Sequence, residues 1–370
     1  RDSDASDLIQ DQVGLWKDLH EDSYADRQFV DQDPTFNTIG WDSTFTGQPL
    51  LPAEMRECVD NAVSRILALE PKNLLEIGCG TGLLLYRLVS PCDTYVGPVL
   101  SAVAIEQLRV SQDQLSIDGL DRAKLLSQRA DDFHGLMENH FDTAVLNSVI
   151  QYFPNVDYLV QVLGELVARC ADGGAIFVGD VRSLPLLSTY HGAVQSFKAD
   201  PETTRIELER RMEAQLEREP ELTVAPAFFV ALRTTMSRIG RVLIMPKRGE
   251  LKNEMTSFRY DVVLEIAGSK DDSQAQSSTQ YDGWDDWRRQ RLNLSSVRER
   301  LENEVPDIWG LRFVANGRLD EERATIEWLR KASDTDTVME LRSVQAKCEE
   351  AGLDPEALWQ LAESLPYDVD

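Results

Sequence analysis

The stretch LLEIGCGTG, residues 74–82, decides the fold. Its apolar start is typical of a short buried strand that ends at Glu76, after which Gly78, Gly80 and Gly82 alternate with single residues. Because glycine has no Cβ, such a run lets the backbone turn sharply and approach a ligand closely. The segment that follows, TGLLLYRLV, favours a helix, whose first N–H groups can bind a polar or anionic group. We therefore predict a strand, a ligand-binding turn and a helix; a purely structural tight turn is the alternative.

The spacing of the glycines separates two classes of cofactor-binding protein. Nicotinamide and flavin dehydrogenases carry G-x-G-x-x-G, which cradles a pyrophosphate, but here Leu83 stands three residues after Gly80. An acid at the strand end followed by G-x-G-x-G is the pattern of methyltransferases that use S-adenosylmethionine. That cofactor has no pyrophosphate, so close backbone contact with its amino-acid part matters more than a phosphate cradle. The spacing predicts an S-adenosylmethionine-dependent methyltransferase.

Strand-like and helix-like segments alternate after the first 72 residues, which implies right-handed crossovers and a parallel sheet. We predict an α/β fold: a doubly wound, Rossmann-like class I methyltransferase core over 73–266, preceded by an N-terminal helical segment, 1–72. Helical segments replace the alternation after the fifth strand and predict a lid at about 182–222, over the carboxyl ends of the strands, where ligands bind. Residues 267–370 are expected to form a C-terminal extension that completes the domain and begins with a polar linker, 267–280.

Composition limits the partners of the chain. With 64 acidic and 38 basic residues the net charge is −26, which argues against a nucleic-acid partner because phosphate binding needs a basic face. No apolar stretch reaches the roughly 18 residues of a membrane span, and the opening RDSDASDLIQDQ lacks both Met and the apolar core of a signal peptide. Five cysteines show no metal-ligand pairing and fit poorly with a disulfide framework. We expect a cytoplasmic fragment of a longer protein, with no metal, membrane or nucleic acid.

Three further strand ends should complete the cofactor site. The second strand of such a fold normally ends in an acid that binds the ribose hydroxyls, but here it ends in Val99, and the next acid, Glu106, lies inside the following helix. Asp131 or Asp132, after the third strand, is expected near the adenine; a helix N-cap is the alternative. Asn147, at the end of the fourth strand, is placed to hydrogen-bond the cofactor or the acceptor, or to be structural.

Longer segments of the chain resemble one family, the methyltransferase domains of nonribosomal peptide synthetases and polyketide synthases, including trans-acting fungal ones. The similar segments are NTIGWDSTFTGQPL (37–50), LNSVIQYFP (146–154), IFVGDVRSLPLLSTYHGAVQSF (176–197), MPKRGELKNEMTSFRYDVVLEI (245–266) and LDPEALWQLAESLPYDVD (353–370). The resemblance implies a role in secondary metabolism, on an acyl or aminoacyl chain held as a thioester by the phosphopantetheine arm of an acyl or peptidyl carrier protein. Family members methylate nitrogen, oxygen or carbon, so the acceptor atom is not implied.

His191 is the best candidate for a catalytic base. It follows the fifth strand at the entry to the predicted lid, and an imidazole can accept a proton at physiological pH. A base of this kind usually needs a partner on its other nitrogen, and we predict Glu254, in the loop before the last strand. The alternatives are a histidine with structural hydrogen bonds and a solvated loop carboxylate.

The base also bears on the acceptor, because a hydroxyl or a carbon between two carbonyls benefits from proton removal. Its presence favours carbon or oxygen. The alternatives are N-methylation of an aminoacyl thioester, a free small-molecule acceptor, and a non-catalytic carrier-binding module, which only Val99 supports. A basic cluster of Arg241, Lys247, Arg248 and Lys252 is a candidate dock for an acidic carrier protein; a scattered, solvated face is the alternative.

Overall fold

The computed structural model describes residues 14, 33–268, 283–348 and 352–369. The first part of the predicted N-terminal segment and nearly all of the predicted linker lie outside the described residues. The chain forms two compact units. The first takes in the described parts of Arg1–Leu184, Pro220–Met245 and Arg259–Asp271, and the second those of Pro185–Glu219, Pro246–Phe258 and Asp272–Asp370.

A seven-stranded sheet organises the first unit. Its strands are β1 (Asn73–Ile77), β2 (Thr94–Val99), β3 (Lys124–Ser127), β4 (Phe141–Asn147), β5 (Cys170–Arg182), β6 (Ile239–Pro246) and β7 (Arg259–Ile266). Their order across the sheet is β3-β2-β1-β4-β5-β7-β6, parallel from β3 to β5, with β7 antiparallel to β5. The predicted doubly wound α/β core is confirmed. The strand order reverses between β1 and β4, and the carboxyl ends of strands at such a switch point are where α/β sheets bind ligands.

The first predicted strand lies at the centre of this sheet. Leu75 of β1 is opposite Val96 on one side and Ala144 on the other. Leu74 and Leu75 are both fully buried, as expected for a parallel strand covered on both faces. A continuous apolar run, rather than an alternating one, is therefore what this position requires.

Helices pack on the sheet and also build the second unit. In chain order the described helices are α1 (Pro52–Leu67), α2 (Leu85–Leu88), α3 (Ala102–Gln114), α4 (Val156–Arg169), α5 (Leu187–Lys198), α6 (Arg205–Glu217), α7 (Pro226–Thr235), α8 (Glu254–Phe258), α9 (Leu294–Glu304), α10 (Asp320–Lys331), α11 (Val338–Gln345) and α12 (Pro355–Glu363). None of them is both long enough and apolar enough to cross a membrane.

Helix α4 illustrates how the sequence places a helix on the sheet. The Asn155 side chain accepts a hydrogen bond from the Tyr158 backbone N–H at 2.9 Å, which caps the first turn. Leu159, Val162 and Leu166 then recur at helical spacing and are fully buried in the main core. Full burial of each such side chain stabilises the fold by roughly 2 kcal/mol.

The helix predicted directly after the glycines is shorter than expected. Only Leu85–Leu88 is helical, because Gly82 adopts a φ of +89° and the chain must leave that conformation before a helix can begin. The turn is thus longer than the periodicity of TGLLLYRLV indicates.

The second unit gathers two predicted regions, the lid and the C-terminal extension. Helices α5, α6, α10 and α11 pack together, and six buried residues form their common core. These residues are Ala199, Leu208, Trp328, Leu329, Val338 and Leu341. A short parallel pair, β8 (Asp285–Asp286) and β9 (Leu311–Arg312), belongs to the same unit. The lid helices therefore share their core with the extension instead of forming an independent insertion.

Candidate functional site

The glycine turn forms a cradle at the carboxyl end of β1. Gly78, Gly80 and Gly82 have φ values of +76°, +52° and +89°, a region in which side chains are strained. Space is also lacking: a Cβ on Gly78 would lie 2.6 Å from the Val149 side chain. At Gly82 it would lie 2.7 Å from Leu108. The cradle thus admits backbone only, which fits a cofactor that needs close backbone contact.

Glu76 lies at the end of β1, next to the cradle, and is 4% exposed. The Tyr95 hydroxyl donates a hydrogen bond to its carboxyl group. Burial raises the pKa of Glu76 to about 8, so the group is largely protonated at neutral pH. A cationic or hydrogen-bond-donating ligand group beside it would favour the charged form.

Val99 ends β2 and is buried, with 6% of its surface exposed. The neighbouring polar group, the Ser101 hydroxyl, accepts a hydrogen bond from the Ala104 N–H and caps α3. The strand end that carries a ribose-binding acid in this type of fold is therefore aliphatic here. The assignment of Val99 to the cofactor site stays a prediction.

The two acids after β3 have different partners. Asp131 accepts two hydrogen bonds from the Arg129 guanidinium, each at 2.9 Å. Asp132 accepts one from the His134 backbone N–H at 3.0 Å, which closes a local turn. Asp131 is a rigidly held, partly exposed carboxylate, whereas Asp132 has a local structural use. Contact of either with adenine stays a prediction.

The ends of β4 and β5 are joined by a polar network that the sequence did not reveal. Asn147 Nδ2 donates to Ser148 Oγ at 3.2 Å, and Ser148 Oγ donates to Asp180 Oδ2 at 2.9 Å. Arg259 donates to the same Asp180 oxygen at 2.5 Å. Ser148 and Asp180 have φ values of +57° and +64°, and backbone strain of this kind clusters at functional sites.

Two oxygens of this network have unused hydrogen-bonding capacity. Asn147 Oδ1 and Asp180 Oδ1 are buried and have no hydrogen-bond partner among the described residues. Unsatisfied buried acceptors cost about 1–3 kcal/mol each, and a donor on a bound molecule would remove that cost. This supports the prediction that Asn147 faces cofactor or acceptor, without testing it.

A segment before the core also contacts the glycine turn. Thr81 Oγ1, between the last two glycines, donates to the Asn37 carbonyl at 3.1 Å. Arg87 donates to the Thr35 carbonyl, also at 3.1 Å. We did not predict these contacts; the only signal was that NTIGWDSTFTGQPL carries the family resemblance.

His191 lies in α5 and is hydrogen-bonded to a carboxylate, as a catalytic base requires, but the partner is not the predicted one. Its Nε2 lies 2.9 Å from Glu219 Oε2, and both side chains are about 10% exposed. Glu219 follows the end of α6, and α6 packs against α5, which carries His191. This packing brings Glu219 next to His191. The pairing of His191 with Glu254 was therefore wrong, because long-range helix packing selects the partner.

Glu254 begins the short helix α8 and is buried, 7% exposed. It belongs to the same unit as His191, and the end of its helix approaches the histidine through aromatic rings. Phe258 packs edge-on against Tyr190 and Tyr190 against His191, each pair of ring centroids 5.2 Å apart. Glu254 is thus not a solvated loop carboxylate, and its catalytic role stays a prediction.

The predicted basic cluster is partly buried and partly paired with acidic residues. Lys247 is 1% exposed. Arg248 is bound by Glu356 at 2.5 Å and Glu363 at 2.8 Å. Lys252 lies 3.7 Å from Glu322. Acidic residues of the C-terminal extension pair with Arg248 and Lys252, whereas Arg241 is 42% exposed and lies 3.5 Å from Glu265 of β7. Docking of an acidic carrier protein at this cluster stays a prediction.

Comparison with known proteins shows which protein family the chain resembles in sequence. A family model described as a methyltransferase domain matches residues 75–176, from β1 into β5. The chondramide synthase cmdD of Chondromyces crocatus is 39% identical over 363 residues, which are 97% of this chain and 9% of that protein. The nonribosomal peptide synthetase dtxS1 of Metarhizium robertsii is 33% identical over 308 residues, 81% of this chain and 4% of that protein. The chain thus spans less than a tenth of either relative.

Among solved structures, the N-methyltransferase NodS from Bradyrhizobium japonicum WM9, in complex with S-adenosyl-l-homocysteine, is 14% identical with a TM-score of 0.41. The match covers 68% of this chain and 97% of that one. We draw no conclusion from so remote a likeness; the fold assignment rests on the strand order described above. The methyltransferase match runs from β1 through the glycine cradle into β5, the last of the five parallel strands, and the synthetases match the chain well beyond it. The chain is therefore an S-adenosylmethionine-dependent methyltransferase domain similar to those within nonribosomal peptide synthetases.

Proposed function

We propose that the chain methylates the amino nitrogen of an aminoacyl or peptidyl thioester, held on the phosphopantetheine arm of a carrier protein. The similarity to nonribosomal peptide synthetases over most of the chain carries this proposal, because amino acids are the building blocks of peptides and each brings an amine. From the sequence, carbon or oxygen was favoured as the acceptor only because a base is present. The similarity to peptide synthetases is the stronger argument, and it favours nitrogen. Carrier tethering follows from the same kinship.

The bound cofactor supplies an electrophilic methyl group on a positively charged sulfur. We assign its binding to the backbone cradle at Gly78 and Gly82, with Glu76 beside it. The acceptor nitrogen uses its lone pair to form the new N–C bond while the S–C bond breaks and its electron pair stays on sulfur. The nitrogen then carries one proton too many, and that proton must leave. Alignment of donor and acceptor supplies much of the rate enhancement in such a displacement.

His191 is our candidate acceptor for that proton. Its hydrogen bond to Glu219 fixes the orientation of the ring, and the carboxylate stabilises the imidazolium that forms. The same base would keep the incoming α-amine neutral and therefore nucleophilic. We retain the helical region 182–222, which carries both residues, as a proposed lid.

Carbon methylation is the second candidate function. A histidine hydrogen-bonded to a carboxylate is suited to removing a C–H proton between two carbonyls, whereas an amine that is already neutral needs only orientation. The two candidates differ in what they demand of His191. Nitrogen transfer should depend on it less at high pH, where the amine is neutral without help.

The test presents the purified chain with S-adenosylmethionine and pantetheine thioesters that bear an α-amino, a β-keto or a β-hydroxy acyl group, alone and on a holo carrier protein. Mass spectrometry locates the added methyl group. We expect N-methylation of the aminoacyl thioester, and faster transfer on the carrier protein than on pantetheine. Exclusive methylation of the β-keto thioester would establish carbon as the acceptor and overturn the nitrogen assignment. Methylation of a free amino acid at the rate of its thioester would overturn carrier tethering.

A further inference from the structure

The C-terminal part of the second unit contains a buried arginine, Arg318, that donates most of its hydrogen bonds to the segment 247–256. Arg318 is 2% exposed. Its NH1 donates to the Lys247 carbonyl at 2.6 Å and to the Thr256 carbonyl at 3.3 Å, and its NH2 donates to the Gly249 carbonyl at 2.6 Å. Its Nε donates to Asp354 at 2.9 Å. One guanidinium therefore connects both ends of the loop 247–256 to the C-terminal segment.

A second residue of that segment holds the same loop. The buried Glu356 accepts a hydrogen bond from the Gly249 backbone N–H at 2.9 Å and binds the Arg248 guanidinium. Inside the loop, Asn253 Oδ1 accepts the backbone N–H groups of Met255 and Thr256. Most of the loop's polar groups thus have fixed partners, and it is a built structure rather than a free connection.

The loop leads directly to the aromatic contact with His191. Thr256, whose carbonyl Arg318 binds, lies in α8, and Phe258 ends that helix and packs against Tyr190, the neighbour of His191. The C-terminal segment also packs directly against α5. Ile326 of α10 lies so close to Gly192 of α5 that a Cβ on this glycine would be 3.1 Å from the Ile326 side chain. Residues 316–363 are therefore connected to the helix of His191 in two ways, through α8 and Tyr190 and through Gly192.

We infer that Arg318 is a positioning residue for the His191–Glu219 pair, acting through α8 and the Phe258–Tyr190 contact. This inference rests on the proposed role of His191 as proton acceptor. A lysine cannot replace the arginine, because only the planar guanidinium presents enough donors to bind three carbonyls and a carboxylate together. Its loss removes these hydrogen bonds, and α8 then loses a restraint on the helix end that carries Phe258.

The experiment compares Arg318→Lys and Arg318→Ala with Arg205→Lys in the full chain. Arg205 is a matched control, since it binds Glu209, Asp334 and the Leu329 carbonyl in the same unit but has no contact with the loop. The readouts are the single-turnover methylation rate as a function of pH, the cofactor Kd and Tm. We expect both Arg318 variants to lose roughly 10- to 100-fold in rate, with an altered pH profile and a Kd within about twofold of wild type.

Added guanidinium should restore part of the rate of Arg318→Ala, and Arg205→Lys should lower Tm without altering the pH profile. An unaltered pH profile, with a rate loss no larger than that of Arg205→Lys, would overturn the inference. If the Arg318 variants do not fold, Phe258→Leu replaces them, and a wild-type profile in that variant would also overturn it. His191→Ala is measured in parallel: full activity there refutes the proposed base itself, whereas loss of activity there with normal Arg318 variants refutes only the positioning role.

Discussion

The glycine cradle of the first unit and the His191 region of the second unit are built in opposite ways. The cradle consists of backbone and is encoded within nine consecutive residues, 74–82, in which three glycines with positive φ and no Cβ atom create it. The His191 region consists of side chains drawn from α5, the end of α6, α8 and the C-terminal segment. A backbone site can therefore be recognised locally, whereas a side-chain site depends on packing between distant segments. A substitution in one region should therefore leave the other intact.

Gly78→Ala should have the largest effect, at least about a 100-fold loss of cofactor affinity. The new Cβ would lie 2.6 Å from Val149, a β-branched side chain with little freedom to move. Gly135→Ala is the matched control, because Gly135 also has a positive φ, +77°, but nothing lies within 4 Å of its Cβ position. Calorimetric titration with S-adenosylmethionine should show binding for the control alone. Equal Kd values for the two variants would refute the cradle.

Glu76→Gln should change how stability depends on pH. The pKa of Glu76 rises from about 4.5 in the unfolded chain to about 8 in the fold because of burial. The folded state then binds the proton more tightly, so this group's contribution is fully present below pH 4.5 and is lost as the pH rises through 8. The difference amounts to a few kcal/mol.

We therefore expect the cofactor-free Glu76→Gln variant to exceed wild type in Tm at pH 9 and to match it near pH 5. The exposed Glu70→Gln serves as control and should follow the wild-type curve. Parallel wild-type and Glu76→Gln curves from pH 5 to 9 would contradict the protonated state of Glu76.

Val99→Asp should have the smallest effect, and in the favourable direction. An acid at the end of β2 can accept hydrogen bonds from the ribose hydroxyls, each worth about 1.5–3 kcal/mol for a charged group, less the cost of burying the carboxylate. We expect about fivefold tighter cofactor binding at neutral pH, and no gain from Val99→Leu. Unchanged or weaker binding would place ribose recognition elsewhere in the site.

The sequence predicted most of the fold for the same reason that it predicted the cradle. Buried parallel strands are continuous apolar runs such as AIFV, residues 175–178 of β5, and Gly78 and Gly82 mark the turn at the end of β1; both signals are local. The partner of His191 could not be found in this way, because Glu219 is brought to it by the packing of α5 and α6. The contact of Thr81 with Asn37 and the neutralisation of Arg248 by Glu356 likewise join residues far apart in sequence. No periodicity encodes such pairs.

The most direct test of this separation of cofactor binding from proton transfer is His191→Ala, measured for both cofactor affinity and methylation rate. If cofactor binding belongs to the first unit and proton transfer to the second, the variant should bind S-adenosylmethionine with a Kd within about twofold of wild type. Its single-turnover methylation rate at neutral pH should fall by roughly 100-fold or more, the usual contribution of a general base. An unchanged rate, or a Kd that rises as much as the rate falls, would contradict the account.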